Sequence, residues 1–189
     1  ATARVLATAS NAGLVTAADV VSDLPRLRAL VPPALPHLDW FFVNELEAEA
    51  LTGISVRTRS GAPHRAALER AVRAVHGLGA RGGVVLHTAF GAAAYAGGTV
   101  SWQDSVALPA SRIVGTNGAG DAFAAGFLHG VHEGLAVPSC LRTAVCVAAA
   151  SLADGTPSGG VGPLERCLAL ARHGFRNTRR SEPVTHVTS

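Results

Sequence analysis

Lysine and methionine are both absent from the 189 residues. All 16 basic side chains counted with arginine are therefore arginines, and they are scattered except near Arg172, Arg176, Arg179 and Arg180. The net charge of +3 and a pI of about 9.2 invite a nucleic-acid interpretation, but aromatics make up only 5% of the chain. A base-stacking platform is not visible, so no nucleic-acid partner is expected. The arginine bias beside abundant Ala, Gly and Val fits coding bias better than a polyanion site.

Long hydrophobic runs are also lacking. None reaches the length of a membrane span and nothing resembles a signal peptide, so a cytoplasmic protein with no membrane partner is expected. Cysteine is scarce: Cys140, Cys146 and Cys167 are odd in number and lie in apolar stretches, which predicts buried thiols and no disulfide framework. The eight histidines form no Cys/His cluster with zinc spacing, and His129 and His132 alone do not make a metal site. The missing initiator methionine predicts a fragment or a processed chain.

What is present suits one domain with a substantial core, since 48% of residues are hydrophobic. Apolar runs at 14–21, 39–43 and 83–87 read as buried parallel strands. Helices are expected over 26–35 (broken by Pro32-Pro33), 45–51, 63–78, 119–134, 139–153 (capped by Ser139) and 163–173, after a helix end at 1–11 stopped by Gly13. Segments 92–96 and 99–103 flank Gly97-Gly98 and predict a β-hairpin. Strand–helix alternation argues for an α/β fold, a three-layer α/β/α arrangement around a mostly parallel sheet. Residues 1–176 would form the domain, and the polar stretch 177–189 would be a tail.

The chemistry concentrates in Gly115-Thr116-Asn117-Gly118-Ala119-Gly120-Asp121-Ala122-Phe123. Free N–H groups at a helix start, with the helix dipole behind them, make an anion site that glycines allow a phosphate to approach. An aspartate there repels an anion, unless it must take a proton from a hydroxyl attacking the phosphorus. A Walker loop would carry Lys and then Ser/Thr after its last glycine, where this chain has Asp121. A dinucleotide fingerprint would want Gly or Ala where Phe123 stands, which disfavours a Rossmann-like oxidoreductase. The plainer alternative is a Gly-rich turn with Asp121 complementing the dipole.

Gly118-Ala119-Gly120-Asp121, preceded by Thr116, resembles the second signature of ribokinase-like (PfkB) carbohydrate kinases. Upstream, Asn44-Glu45-Leu46-Glu47 and Leu51-Thr52-Gly53 resemble the family's Asn-x-x-Glu segment and the Leu-Thr-Gly that follows it. The same four residues also match a capping box, with Asn44 as N-cap and Glu47 at N3. The stretch 83–91 resembles the strand and turn that line the nucleotide, although Leu86-His87-Thr88 stand where the family has Thr-Leu-Gly. Val145 to Gly160 resembles the helix and loop over the adenine. The similarity covers most of residues 13–174.

The resemblance implies ATP-dependent phosphorylation of a hydroxymethyl group on a small sugar or nucleoside. It implies Asp121 as the base, Gly118, Ala119 and Gly120 as an anion hole, and Asn44, Thr88, Gly91, Thr116 and Gly120 near the nucleotide. Glu47 would act on Mg2+ through water. Gly115 stands where relatives carry a carboxylate beside a monovalent cation, so activation by such a cation is not expected. The sugar-gripping N-terminal portion of the family is not recognisable, which predicts an N-terminally incomplete fold that associates, as a homodimer or otherwise, through an exposed sheet edge. A non-catalytic nucleotide-binding remnant is the alternative from a different class.

Overall fold

The computed structural model describes residues 2–20, 24–57 and 64–177. Expectations about Ser22, Asp23, Pro63 and the tail from 178 onward lie outside the described residues. Helix α1 (Thr2–Asn11) leads to strand β1 (Ala17–Asp19), then α2 (Leu24–Leu30) and a 3-10 turn at Leu35–His37. Strand β2 (Trp40–Asn44) passes directly into α3 (Glu45–Thr52). Helix α4 (Arg65–Gly77), strand β3 (Gly83–Thr88) and the hairpin β4 (Gly91–Ala96) and β5 (Thr99–Asp104) follow. Helices α5 (Ala119–His132), α6 (Val137–Ser151) and α7 (Leu164–Leu168), with a 3-10 stretch at Ala169–His173, complete the described chain.

The strands form one sheet in the order β1-β2-β3-β4-β5. β1, β2 and β3 pair in parallel, and the hairpin adds β4 antiparallel to β3 and β5 antiparallel to β4. Four of the five strands thus run in one direction. β2 and β3 are buried on both faces, which is why they read as continuous apolar runs instead of alternating ones. Phe41, Val43, Val84 and Leu86 face a core built with Leu27, Leu51, Leu68 and Val72 from α2, α3 and α4. Phe42 and Val85 face the opposite core, with Phe123 and Phe127 of α5 and Leu141 and Ala144 of α6. Phe127 anchors α5 to the sheet, edge-on to Trp40 at 4.8 Å and to Phe42 at 5.5 Å between ring centroids. The three-layer α/β/α expectation holds.

Three local expectations are corrected. The first strand is short: Leu14 and Val15 are exposed and precede it, because only Ala17–Asp19 finds a partner in β2. Ser139 does not cap α6; the helix begins two residues earlier from Ala136, with Pro138 in the first turn, where its missing N–H costs nothing. The helix expected over 163–173 is α-helical only for Leu164–Leu168 and then tightens to 3-10. All three cysteines are buried free thiols, as expected.

Candidate active site

The C-terminal ends of parallel strands gather the chemistry, as in open α/β sheets generally. β1 ends on Asp19, β2 on Asn44, and β3 on His87 and Thr88, with Asn44 and His87 directly opposite each other in the parallel register. The loop before α5 closes over these ends. Its fold is fixed by Gly118, which has φ 75°, a left-handed conformation that disfavours side chains. The loop also leans on the turn after α6: Val114 N–H donates to the Leu152 carbonyl at 2.8 Å.

The first α-type hydrogen bond of α5 runs from Ala122 N–H to the Gly118 carbonyl at 2.9 Å. Ala119 N–H makes a long turn bond to the Thr116 carbonyl at 3.3 Å. The N–H groups of Gly118, Gly120 and Asp121 have no hydrogen-bond partner among the described residues. The helix start therefore presents free donors with the dipole behind them, an arrangement that favours an anion. The set differs from the expected Gly118, Ala119 and Gly120 in that Ala119 is partly engaged and Asp121 N–H joins.

A cleft of about 420 Å³ opens at this point, lined by Asn44, His87, Thr88, Thr116, Ala119 and Gly120. Its wall is apolar, with Val106, Leu108, Val145, Ala148 and Leu152. Phosphate-sized donors at one place and a hydrophobic wall beside them suit a ligand with an anionic and a flat apolar part.

Asn44 and Glu47 form a full capping box. Asn44 Oδ1 accepts from Leu46 N–H at 2.9 Å and Glu47 N–H at 3.0 Å, while Glu47 Oε2 accepts from Asn44 N–H at 2.8 Å. Asn44 lines the cleft and keeps its amide NH2 as a remaining donor. Glu47 is 2% exposed and does not line the cleft. Gly91 is not on the cleft wall either. It is packed under β5, where a Cβ would lie 2.5 Å from the Gln103 carbonyl oxygen. Thr88 holds the β3–β4 turn, its hydroxyl donating to the Gly91 carbonyl at 3.0 Å and accepting from Phe90 N–H at 3.1 Å. Gly91 thus shapes the turn that places Thr88.

Asp121 lies in the first turn of α5 with its side chain exposed. Its charge acts on Asp19 and on His87. Although Asp19 is exposed overall, its carboxyl is pushed up to about 6, first by desolvation among the surrounding protein atoms, against the Val20 N–H, and then by the Glu47 and Asp121 charges. The charges of Glu47 on α3 and Asp121 on α5 thus both act on Asp19 of β1. Burial moves His87 below the ordinary imidazole value, opposed by Glu45 and Asp121. Asp19 and His87 were not selected from the sequence as site residues. Their place at the C-terminal ends of parallel strands is the signal that could have found them. Among the described residues no group of three or more His, Cys, Asp or Glu is placed to hold a metal ion directly. No helix of the described residues is long and apolar enough to cross a membrane.

Fold and site together define an α/β protein with a cleft beside a helix N-terminus, whose first turn carries unpaired N–H groups and the exposed Asp121, which is not on the cleft lining. The chain belongs to the pfkB family carbohydrate kinases, whose sequence model matches residues 1–159. It is 34% identical to a ribokinase of Arabidopsis thaliana over 134 residues, 70% of this chain and 33% of that protein. It is 30% identical to adenosine kinase 1 of the same plant over 108 residues, 57% of this chain and 31% of that one. The solved structure of the Arabidopsis thaliana ribokinase complexed with ribose and ATP superposes with a TM-score of 0.73 at 25% identity, covering 93% of this chain and 52% of that one. The adenosine kinase from Sinorhizobium meliloti shares the fold, with a TM-score of 0.65 at 23% identity over 90% of this chain and 48% of that one. The chain spans about a third of the length of these curated relatives and about half of the solved ones.

Proposed function

We propose that this chain carries the nucleotide-binding and proton-accepting part of a kinase that phosphorylates a hydroxymethyl group of a sugar or nucleoside with ATP. One observation carries the proposal: the free N–H groups at the start of α5 lie beside a cleft that Thr116, Ala119 and Gly120 line, and Asp121 belongs to the same helical turn. The cleft's apolar wall takes the adenine, and the helix start takes the phosphates. Asn44 and Thr116 line the cleft beside the phosphates, and Thr88 sits at the nucleoside side.

Asp121 accepts the proton of the acceptor hydroxyl as its oxygen forms a bond to the γ-phosphorus and the bond from that phosphorus to the bridging oxygen of ADP breaks. The free N–H groups then stabilise the charge on the transferring phosphoryl group. The proton leaves Asp121 to solvent, and ADP and the phosphate ester depart.

Magnesium fits the donor chemistry. Asp19, Glu47 and Asp121 supply hard oxygens, and the Glu47 and Asp121 charges add to the burial that holds Asp19 near 6, which marks a place short of positive charge. Glu47 and Asp19 are the residues suited to hold the ion through its waters, since among the described residues no three carboxylates are placed to hold it directly. Bound there with the phosphates, it would neutralise their charge. Gly115 offers no carboxylate to a monovalent cation.

A second function, nucleotide binding without transfer, is favoured by the commitment of Glu47 Oε2 to the capping box. Asp121→Asn separates the two in a turnover-competent form of the protein, assayed by ADP release with a panel of sugars and nucleosides. Nucleotide affinity should hold or rise, while turnover falls by roughly 10²- to 10⁴-fold. Turnover within a few-fold of the parent removes Asp121 as the base.

A further inference from the structure

His87 occupies a position that the nucleotide-binding proposal leaves unused. It sits at the end of β3, lines the cleft, and stacks on Phe123 of α5 with ring centroids 5.2 Å apart. The edge of its ring faces the first turn of that helix. A Cβ on Gly120 would meet His87 Cε1 at 3.3 Å and Nε2 at 3.8 Å. This is the turn whose Gly120 and Asp121 N–H groups lack partners. Neither imidazole nitrogen is hydrogen-bonded to a described residue.

The charge around the cleft explains why such a residue matters. Glu45, His87 and Arg176 are the charged or titratable side chains on its lining. The Glu45 carboxylate is paired with Arg57. The Arg176 guanidinium lies over the Phe90 ring at 5.6 Å, on the C-terminal segment bonded through its N–H to the Ser105 carbonyl. The sheet neighbours of His87, Asn44 and Ala92, carry no charge. The groups that face the imidazole are thus Glu45 from α3, Asp121 from α5 and, across the cleft, Arg176. With no lysine in the chain, His87 is a basic group placed directly against the turn that carries the anion donors.

We propose that His87 is a phosphate ligand, its imidazole adding a donor to the N–H groups of Gly120 and Asp121 when a nucleotide is bound. Without an anion, burial disfavours the imidazolium. A phosphate oxygen at the helix start supplies the opposite charge, so the ring takes up a proton as the nucleotide binds. The inference rests on the nucleotide-binding proposal and refines it.

The 189-residue chain, His87→Leu and His87→Gln are titrated calorimetrically with ADP and with adenosine at about pH 7, in two buffers of different ionisation enthalpy. The parent should take up a fraction of a proton on binding ADP, and both variants should take up less. His87→Leu should bind ADP about tenfold more weakly, with adenosine affinity unchanged, and His87→Gln, which keeps a donor, should recover part of the loss. Equal ADP affinity and equal proton uptake in parent and His87→Leu overturn the role of His87 and leave nucleotide binding standing. A parallel loss for ADP and adenosine makes the residue a packing element and also overturns it. A parent that binds neither ligand overturns the nucleotide-binding proposal itself, and this inference with it.

Discussion

A Cβ placed on Gly118 would lie 2.6 Å from the Cα of Pro157. The loop that presents the anion donors is thus seated backbone against backbone on the turn after α6, and it reaches that seat in a left-handed conformation, φ 75°. Gly118→Ala meets both obstacles. It should cost about 1–3 kcal/mol of stability and weaken ADP binding more than adenosine binding, because the donors move with the loop. Denaturant unfolding and calorimetry check this; an unchanged midpoint with unchanged ADP affinity would show that the loop relaxes without loss.

Asn44 and Glu47 separate capping from ligand chemistry. Asn44→Ala removes the side-chain acceptor for two N–H groups and should cost about 1 kcal/mol. Glu47→Gln keeps a capping-box acceptor but removes the charge. Its stability should stay near that of the parent, while the gain in ATP affinity on adding Mg2+ should shrink. An unchanged magnesium effect would reduce Glu47 to a helix cap.

Asp19 gives a pH signature. Its pKa of about 6 against an ordinary 3.8 means that the folded protein holds this proton more tightly than the unfolded chain. The stability it contributes is present below the ordinary value and is lost as pH rises through about 6. His87, held below its ordinary 6.5, acts with the opposite sense. Its contribution is present above about 6.5 and is lost as pH falls. Asp19→Asn isolates the first effect. The variant should be more stable than the parent at about pH 7.5, and the gap should close towards about pH 4. A gap that does not vary with pH in denaturant melts would contradict the raised pKa of Asp19.

β1 pairs only with β2 and leaves its other edge without a strand among the described residues. Val5, Leu14 and Val15 are 68%, 61% and 68% exposed at this end of the sheet. Open edges beside apolar side chains recruit other chains. Light scattering of the 189-residue chain should show concentration-dependent association, and Val15→Lys should reduce it. A monomer at every concentration would argue that the edge is closed in solution.

Much of this architecture was legible locally. The apolar runs of β2 and β3, the Gly97-Gly98 turn, the capping box at Asn44 and Glu47 and the glycine-rich entry to α5 all depend on residues a few positions apart, so sequence spacing alone specifies them. The anion donors were legible for the same reason, since a helix start leaves its first N–H groups unpaired whatever surrounds it. The apolar stretch 14–21 misled because hydrophobicity there was not matched by a pairing partner along its whole length. Ser139 misled because a proline in the first turn let α6 begin two residues before the residue best suited to cap it.

Tertiary structure alone decided what the site can do with its charges. Asp19, Glu47 and Asp121 come from β1, α3 and α5, and only the parallel register and the folding of α5 over the strand ends bring the Glu47 and Asp121 charges to bear on Asp19. His87 meets Gly120 for the same reason: the two are brought together by the packing of α5 on the sheet through Phe123 and Phe127. Gly91 and Thr88 were expected to share a nucleotide-facing role, but β5 covers the first and leaves the second on the cleft. Local pattern is written in the covalent order of the chain, whereas burial and electrostatic coupling depend on distances through space that the sequence does not contain.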